Sequence, residues 1–454
     1  MKRFVIVCIL ILAGGLLVSP GRPAGGAAPG LKIGVASATI TPFLDVPLEG
    51  YYYPRMPDGV HDDLHAKALV IDDGHEQAVL VACDLVEVTR EAVEEARRQI
   101  SARCGIPADH VLISATHTHT GPQAVPGYVT NLGHWIADSV LSAEGKKQPA
   151  LLWVAIEQEP VLAHNRRYFM KDGGVQTNPG FLNPNVVRPA GPIDPRVGVL
   201  VAEDERRNPI MTWVNYAMHL DTVGGTWISA DYAYYLARTL AAVKGDDMLT
   251  TFTIGAAGDI NHWDVQRPGP QRGFETAKGL GEALAGDVVK AYTHLEALDS
   301  VRIKAVSETI ELPLAKVTAQ EVAEAEKIVA QPPPMGVDFT LDRVKAMKVM
   351  QVYKRKGQAL QAEIQVLTVG PVAFVGIPGE YFVELGLRIQ KESPFPYTFI
   401  VELANGELGY IPTRRGFEEG GYEPTSTSLA PGSGEKMADK AIELLNRCNK
   451  TTPR

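Results

Sequence analysis

The sequence predicts an α/β (α+β) fold in which mixed β-sheets are flanked by helices. Along most of the 454 residues, segments with strand-like apolar patterns alternate with segments of helical periodicity. Two of the strand patterns meet at Asp72-Asp73-Gly74, a turn sequence typical of a β-hairpin. Strands that alternate with helices, together with a hairpin, indicate a layered α/β or α+β core.

In the first half of the chain, apolar patterns and their Gly or Pro stops define the elements. They are a strand over 31–42 that Pro42 ends, a hairpin over 59–89, a helix over 90–105, a strand over 110–122, and strands over 196–204 and 209–219. Residues 164–195 are rich in Gly, Pro and Asn and show no period. A long segment of this kind inside a compact domain is typically functional.

The second half continues the alternation. Its predicted elements are a helix near 230–245, a strand over 250–259, a helix over 275–295, a strand over 301–314, two helices on either side of 331–336, a strand pair over 362–380, a helix over 381–393, a strand over 398–413 and a terminal helix over 432–448. Pro332-Pro333-Pro334 is interpreted as a corner between helices rather than a domain linker. We therefore expect a single catalytic domain over 29–454.

The N-terminus has the pattern of a secretory signal peptide. Met1-Lys2-Arg3 precedes a short apolar run, and small residues around 24–28 offer a cleavage zone. We predict a signal peptide over 1–28 and a secreted or periplasmic protein without stable membrane insertion after cleavage. An uncleaved anchor is the alternative, but the apolar run is short for a membrane span.

Charge and cysteine content exclude several classes of function. The formal net charge is −9 and no basic patch is present, which argues against a nucleic-acid partner. Beyond the signal, Cys83, Cys104 and Cys448 remain, so at most one disulfide and one free thiol are expected. The sequence contains no CxxC pair, so neither a zinc ribbon nor a redox motif is expected.

The strand "LISATHTHTGP" (112–122) ends in two histidines separated by one residue. Side chains two positions apart on a strand share a face, so His117 and His119 are predicted to point the same way. Neutral imidazole is the commonest protein metal ligand. The pair is therefore either part of a metal site or two polar residues at a strand end.

Three further residues lie near predicted strand ends or turns. His219 follows the strand "WVNYAMH", Glu380 follows a Pro-Gly turn in "FVGIPGEYF", and Tyr410 follows Gly409 in "ANGELGYIPT". Each has an ordinary structural interpretation: a structural histidine, a carboxylate at a helix N-terminus and a packed tyrosine. Two or three of the imidazoles and the Glu380 carboxylate are together the ligand set of a catalytic zinc site with a position open for water. A Gly-rich turn adds Asp259, Asn261 and His262 as candidate substrate contacts.

The motifs "SATHTHTGP", "MHLDT…ISADYAYYL", "GAAGDIN", "IPGEYFVELGLRI" and "GYIPT" resemble those of the catalytic domain of neutral (alkaline, non-lysosomal) ceramidases, in the same order. The segments "NRRY…MKDG…NPG", "RPAGPIDP" and "SPFPYTFIVELANGELGYIPT…GGYE" resemble the short, secreted bacterial branch of that family. The resemblance covers most of the expected mature chain in scattered motifs. It implies the ceramidase catalytic-domain fold.

The resemblance also implies roles for individual residues. By family pattern, His117, His219, Glu380 and Tyr410 hold Zn²⁺, and His119 lies beside the metal-bound water. Arg166 in "HNRRY" matches the family's arginine, a contact for the substrate's polar head or carbonyl; its neighbour Asn165 is grouped with the candidate substrate contacts. Asp231 in "ISAD" is expected to orient a ligand imidazole, as metal-bound histidines require.

Two departures from the family pattern limit what is carried over. Ceramidases have a serine in a GDxSP motif, whereas this chain has Asn261 in "GDINH". A serine nucleophile is therefore disfavoured, and the sequence also contains no GxSxG motif. The chain also ends at Arg454, soon after the catalytic segment, without the β-sandwich domain of longer ceramidases. That ending argues against ceramide as the substrate.

The sequence therefore predicts a secreted zinc-dependent hydrolase, most simply an amidase that cleaves an N-acyl substrate with a metal-activated water. One alternative is the same site acting on an ester, N-acyl or glycosidic bond of a carbohydrate. Another is a secreted binding protein without catalysis. The expected partner is a small-molecule, lipid or glycan substrate. His119, Tyr410 and Arg166 are the predicted catalytic residues.

Overall fold

The computed structural model describes residues 30–332 and 340–450. The predicted signal peptide lies outside the described residues, as does most of the proline-rich corner at 331–336. Within the two described ranges, no helix is long and apolar enough to cross a membrane.

The helices are, in chain order, α1 (Arg90–Cys104), α2 (Pro126–Glu144), α3 (Tyr232–Lys244), α4 (Phe274–Ala291), α5 (Ala319–Val329), α6 (Leu341–Lys354), α7 (Val383–Glu392), α8 (Arg414–Glu419), α9 (Tyr422–Ser426) and α10 (Ser433–Lys450). Local chemistry sets several of their ends. The Thr89 hydroxyl accepts a hydrogen bond from the Ala92 amide at the start of α1, and Gly105 adopts a left-handed conformation at its end.

The strands are, in chain order, β1 (Lys32–Thr39), β2 (Gly59–Val60), β3 (His65–Asp72), β4 (Gln77–Cys83), β5 (Val111–Ala115), β6 (Gln148–Pro149), β7 (Leu151–Gln158), β8 (His164–Asn165), β9 (Arg167–Met170), β10 (Val175–Thr177), β11 (Val186–Pro189), β12 (Arg196–Glu203), β13 (Pro209–Tyr216), β14 (Trp227–Ile228), β15 (Leu249–Ile254), β16 (Ile260–Asn261), β17 (Glu296–Ala297), β18 (Ile303–Leu312), β19 (Leu360–Val369), β20 (Val372–Gly376), β21 (Glu380–Tyr381), β22 (Tyr397–Val401) and β23 (Tyr410–Ile411). The hairpin predicted at Asp72-Asp73-Gly74 joins β3 to β4.

Three larger sheets form the centre of the protein. Their strand orders are β5-β4-β3-β1-β6, β15-β13-β12-β7-β17 and β18-β19-β20-β22. Helix α2 packs on the first sheet, α3 and α4 on the second, and α10 on the third. Each sheet is mainly antiparallel but contains one parallel pair, which confirms the predicted α/β class with mixed sheets flanked by helices.

A buried apolar cluster draws side chains from all three sheets. It includes Ile33 of the first sheet, Trp213 of the second, and Phe374 and Phe399 of the third. The ring centroids of Trp213 and Phe374 are 4.9 Å apart in an edge-to-face arrangement. The sheets are thus fixed against one another by a common core. The assignment of one domain over 29–454 stays a prediction.

The three parallel pairs bring strand ends together. The pairs are β4 with β5, β13 with β15, and β20 with β22, one in each large sheet. Loops that leave the carboxyl ends of parallel strands meet at the same edge of a sheet, where α/β proteins place their sites. His117 follows β5, His219 follows β13, and Glu380 follows β20.

The sequence prediction missed some elements. Helix α2 was not predicted, and neither was the buried strand β7. Residues 164–195 are not without structure, because they contain the three-stranded antiparallel sheet β10-β9-β11. Cys83, Cys104 and Cys448 are all free thiols, so no disulfide forms among the described residues.

Candidate functional site

His117 lies just beyond the end of β5 in a turned backbone. Its φ angle is 74°, a left-handed value that is uncommon for a residue with a side chain. Two contacts hold it there: its backbone N–H donates to the Leu85 carbonyl at 2.8 Å, and its Nδ1 lies 3.0 Å from the Val86 carbonyl. A carbonyl only accepts, so Nδ1 carries a proton, and Nε2 presents a lone pair whenever the ring is neutral.

His119 faces the same point from the following turn. Its Nε2 lies 3.2 Å from Nε2 of His117, and its ring packs against Gly50. A Cβ at Gly50 would come within 2.7 Å of the imidazole, so only glycine leaves room for this ring. Burial lowers the pKa of His119 to about 4.

His219 and Glu380 complete the cluster from the other two sheets. His219 is buried, with Nε2 3.0 Å from Oε2 of Glu380, and the same oxygen lies 3.4 Å from Nε2 of His117. Burial lowers the pKa of His219 to about 3. Burial alone would raise the pKa of the Glu380 carboxyl, but the adjacent charge of His117 and hydrogen bonds from both imidazoles hold it well below its usual range.

The donor atoms of this cluster fit a zinc ion. One ring nitrogen from each of His117, His119 and His219 lies within 4.8 Å of the others, and a carboxylate oxygen of Glu380 joins two of them. The Nε2 atoms of His117 and His119 face each other, and a hydrogen bond between them requires a proton on one of the two atoms. A bound cation would instead accept the lone pairs of both. Imidazole nitrogen and carboxylate oxygen are the usual ligands of catalytic zinc.

Tyr410 and Arg166 lie beside this cluster. The short strands β21 and β23 pair in parallel with Glu380 opposite Tyr410, which brings the tyrosine to the carboxylate. The Arg166 guanidinium lies 5.2 Å from the centroid of the Tyr410 ring and donates through Nε to Glu423 at 2.9 Å. Its Nη2 donates to the carbonyl of Gly258 at 2.8 Å.

Gly258 allows two site loops to touch. A Cβ on this residue would lie 2.4 Å from the Glu380 carbonyl oxygen, so the "GAAGD" loop reaches the Glu380 turn only with glycine there. The Gly258 N–H donates to the Tyr381 carbonyl at 2.9 Å. This contact ties the anchor of Arg166 to the turn that carries Glu380.

A cavity of about 480 Å³ opens above the cluster. His119, His219, Arg166 and Tyr410 contribute to its lining. These four sequence-predicted residues therefore meet in one cleft, although they come from distant parts of the chain. Their individual roles remain predictions.

The predicted substrate contacts divide into two groups. Asn261 lines the cavity. Asn165 and Asp259 instead bond each other at 2.7 Å in the interior, and Asp259 also accepts from the Val383 amide at the start of α7. His262 is buried and its Nε2 donates to the Gln271 carbonyl. The structure thus places only Asn261 of these four at the cavity wall.

Asp231, predicted to orient a ligand imidazole, directs its carboxylate at backbone amides. Its oxygens accept from the amides of Thr222, Val223 and Tyr232 at 2.6–2.8 Å. It therefore acts on the loop that follows His219 rather than on an imidazole. The imidazole of His117 is oriented by the Val86 carbonyl instead.

Sequence reasoning gave no role to several residues of the cleft. Asp221 accepts from both the Tyr51 hydroxyl and the Arg272 guanidinium, and its Oδ1 lies 3.9 Å from Nδ1 of His119. Glu423 is fully buried beneath Arg166. The signals were the run of tyrosines that follows Gly50 and the motif "GGYE", in which Glu423 follows Tyr422.

Comparisons with known proteins agree with these features. No protein-family model matches the sequence. Neutral ceramidase B of Dictyostelium discoideum is 28% identical over 245 residues, which cover 49% of this chain and 33% of that protein. Neutral ceramidase A of the same organism is 24% identical over an alignment that covers 88% of this chain and 70% of that protein. The chain thus spans about a third of the first relative's length.

The fold is similar to that of solved ceramidases. The crystal structure of neutral ceramidase from Pseudomonas aeruginosa matches with a TM-score of 0.72 at 17% identity, covering 93% of this chain and 75% of that one. A structure of a ceramidase complexed with C2 matches with the same TM-score at 16% identity, covering 93% and 76%. Likeness at this identity shows the fold, and it confirms the ceramidase catalytic-domain-like architecture.

Proposed function

We propose that this neutral ceramidase-like chain is a secreted zinc-dependent hydrolase that cleaves the amide bond of an N-acyl substrate. The observation that carries the proposal is the convergence of His117, His219 and Glu380, one from the end of each large sheet, at the floor of a cleft. Signal-directed export through residues 1–28 is part of the proposal.

His117, His219, Glu380 and Tyr410 would hold the metal. When bound, zinc lowers the pKa of a coordinated water and polarises a carbonyl oxygen. The buried position of these side chains excludes bulk water and strengthens each electrostatic contact with a substrate.

His119 is suited to proton transfer. Burial keeps its imidazole neutral at neutral pH, and Nε2 faces the donor cluster. In hydrolysis, the water oxygen forms a bond to the acyl carbon, the C–N bond breaks, and the proton of the water passes to the leaving amine. His119 accepts that proton and returns it, as a general base and then a general acid.

Arg166 and Tyr410 are placed to stabilise the charge that develops on the acyl oxygen. The Arg166 pKa is raised well above its usual value: burial alone would lower it, but the adjacent Tyr410, Glu423 and Glu380 more than offset that effect. Arg166 is thus a permanent cation beside a phenol. Preorganised donors of this kind favour the transition state over the substrate.

Asn261 argues for a water nucleophile. It stands at the serine position of the GDxSP motif, it lines the cleft, and its Nδ2 donates to Oδ1 of Asn178 at 3.0 Å. A carboxamide is not a nucleophile, so no acyl-enzyme forms at this position.

Metal analysis combined with activity tests the proposal. The purified protein is expected to contain one zinc per chain, to lose amidase activity on a panel of N-acyl substrates after chelation, and to regain it when zinc is returned. His117→Ala should lower both metal content and turnover. His75→Ala is the matched control, because His75 is exposed in the β3–β4 turn.

Two outcomes would contradict the proposal. Activity that survives exhaustive chelation would exclude the metal mechanism. A protein that binds zinc but cleaves no N-acyl substrate in the panel would instead support the binding-protein alternative.

A further inference from the structure

One wall of the cleft is formed by aromatic rings that face the cavity. Tyr51, Trp263 and Tyr422 all line it, and Trp263 is supported from behind by Phe181, with the two rings stacked at 5.1 Å and 25°. We call Tyr51 and Trp263 the aromatic wall. Rings that are fixed by packing offer flat apolar faces at low entropic cost.

The charges beside the aromatic wall neutralise each other. Arg272 donates to both oxygens of Asp221, at 3.0 and 3.2 Å, and the Tyr51 hydroxyl donates to the same carboxylate. Deeper in the cleft, Arg166 is paired with Glu423 at 2.9 Å. Each guanidinium that lines the cleft thus has its own carboxylate, so the cleft suits an uncharged polar ligand better than an ionic one.

Amide side chains line the cleft beside Trp263, whose backbone N–H donates to the side-chain oxygen of Asn261 at 3.1 Å. The Oδ1 atom of Asn178 accepts from Asn261, while its Nδ2 group makes no hydrogen bond to any residue in 30–332 or 340–450. Gln176 lines the cavity with its side-chain amide likewise unbonded within these ranges. These amides can donate to and accept from hydroxyl groups.

Aliphatic lining is sparse. Among the described residues around the cavity, Val175 and Leu341 are the aliphatic side chains, and the remaining lining is aromatic, polar, charged or glycine. A long acyl chain needs a continuous apolar channel. A pyranose ring needs one flat apolar surface for its C–H face and polar groups around its hydroxyls, which is the arrangement in this cleft.

We propose that the cleft binds a neutral saccharide ring against the aromatic wall, so that the acyl group to be removed is carried by an uncharged amino sugar. This inference rests on the proposed hydrolase function and names its substrate class. The ring stacks on Trp263, its hydroxyls bond to Gln176 and Asn178, and the N-acyl carbonyl is directed toward Arg166 and Tyr410.

The test measures binding without turnover. Zinc is removed from the full-length protein, and titration calorimetry compares two neutral N-acetylated disaccharides, N,N′-diacetylchitobiose and N-acetyllactosamine, with N-acetylsphingosine. At least one disaccharide is expected to bind more tightly than the lipid. Trp263→Ala should weaken that binding roughly tenfold, because it removes the stacking surface.

Trp227→Ala is the matched control. Trp227 is also partly exposed, but it lies on the short strand β14 against Gly59 and does not line the cleft. Its removal should leave saccharide affinity unchanged, and the melting curve of each variant confirms that it is folded. Asn178→Ala gives a second, smaller loss that does not depend on the ring of Trp263.

The outcomes separate this inference from the hydrolase proposal. Binding of N-acetylsphingosine alone, or of none of the three probes, overturns the saccharide inference, and so does saccharide binding that Trp263→Ala leaves intact. Saccharide binding by a chain that hydrolyses no N-acyl compound would support the saccharide site on the aromatic wall but overturn the hydrolase proposal and, with it, the amino sugar as a substrate.

Discussion

Tyr410→Phe is expected to slow catalysis strongly while leaving the fold almost unchanged. Tyr410 is buried, and its ring packs edge-to-face on Tyr422 with centroids 5.4 Å apart and beneath the Arg166 guanidinium. Phenylalanine keeps these ring contacts and the pairing of β23 with β21. The substitution therefore deletes one oxygen and little else.

The magnitude follows from what that oxygen contacts. If the hydroxyl stabilises the charge that develops on the acyl oxygen or holds the metal, its loss should cost about 2.7–4 kcal/mol in activation free energy, or roughly 10²–10³ in kcat. In the free protein, the hydroxyl contacts Arg166, which retains Glu423 and the Gly258 carbonyl. We therefore expect the free energy of unfolding to fall by only about 1 kcal/mol.

The assay combines kinetics, metal content and denaturation. On an N-acyl substrate that the wild type cleaves, kcat should fall while KM changes little, because the contact strengthens in the transition state. Zinc content distinguishes the two roles of the hydroxyl: a ligand role lowers it, whereas a purely charge-stabilising role does not. Urea denaturation gives the change in stability.

Tyr128→Phe is the matched control. The Tyr128 hydroxyl is also buried and donates to the Ile40 carbonyl at 2.7 Å, but it belongs to α2 and does not line the cleft. This variant should lose about 1 kcal/mol of stability and no activity. Full activity in Tyr410→Phe would refute the role assigned to the hydroxyl.

Three further substitutions test separate parts of the argument. Asn261→Ala should keep zinc content and kcat and raise only KM, as measured by steady-state kinetics, since the amide is not the nucleophile. Glu423→Gln should lower kcat roughly tenfold or more with zinc retained, because Arg166 loses its charged anchor; unchanged kcat would contradict this. Glu363→Gln should leave kcat unchanged but reduce urea stability by about 3 kcal/mol, because Arg97, buried and paired at 2.9 Å, loses its charge partner.

The sequence was most informative where apolar strands end in polar residues. His117, His219 and Glu380 could be selected because each follows an apolar run that stops abruptly, and such ends collect functional groups in α/β proteins. What the sequence could not show is that the three strands belong to three different sheets. Sheet membership depends on packing between distant segments, which no local pattern encodes.

The relation between His117 and His119 was predicted for the wrong reason. Strand alternation would place both side chains on one face, but the strand ends at Ala115 and His117 has a positive φ angle. The two Nε2 atoms nevertheless converge, because the turn is held by the Leu85 and Val86 carbonyls. Such a backbone is stable only when tertiary contacts determine it, so periodicity cannot reveal it.

The missed elements have ordinary causes. In α2, Val129, Leu132, Ile136 and Val140 are buried at helical spacing, but Gly, Thr and Asn between them weaken the helix signal. In residues 164–195 the strands are only two to four residues long, too short for a period to be detected. These short strands nonetheless supply part of the cleft wall.

The scaffold of sheets and the residues that line the cleft give different information about function. The backbone amides of His219 and Glu380 are bonded to the carbonyls of Ile260 and Gly409, so the donor cluster is fixed by the framework that this chain shares with solved ceramidases. The cleft lining comes instead from loops and short strands, including the loops that carry Tyr51 and Trp263. A fold hosts many reactions by varying such loops, so likeness of scaffold shows the fold and leaves the substrate to be argued from the residues that line the cleft. The lining of the cleft is aromatic and rich in amides, and its charges are paired. For this reason we expect a substrate different from the long-chain lipid that the family resemblance alone would suggest.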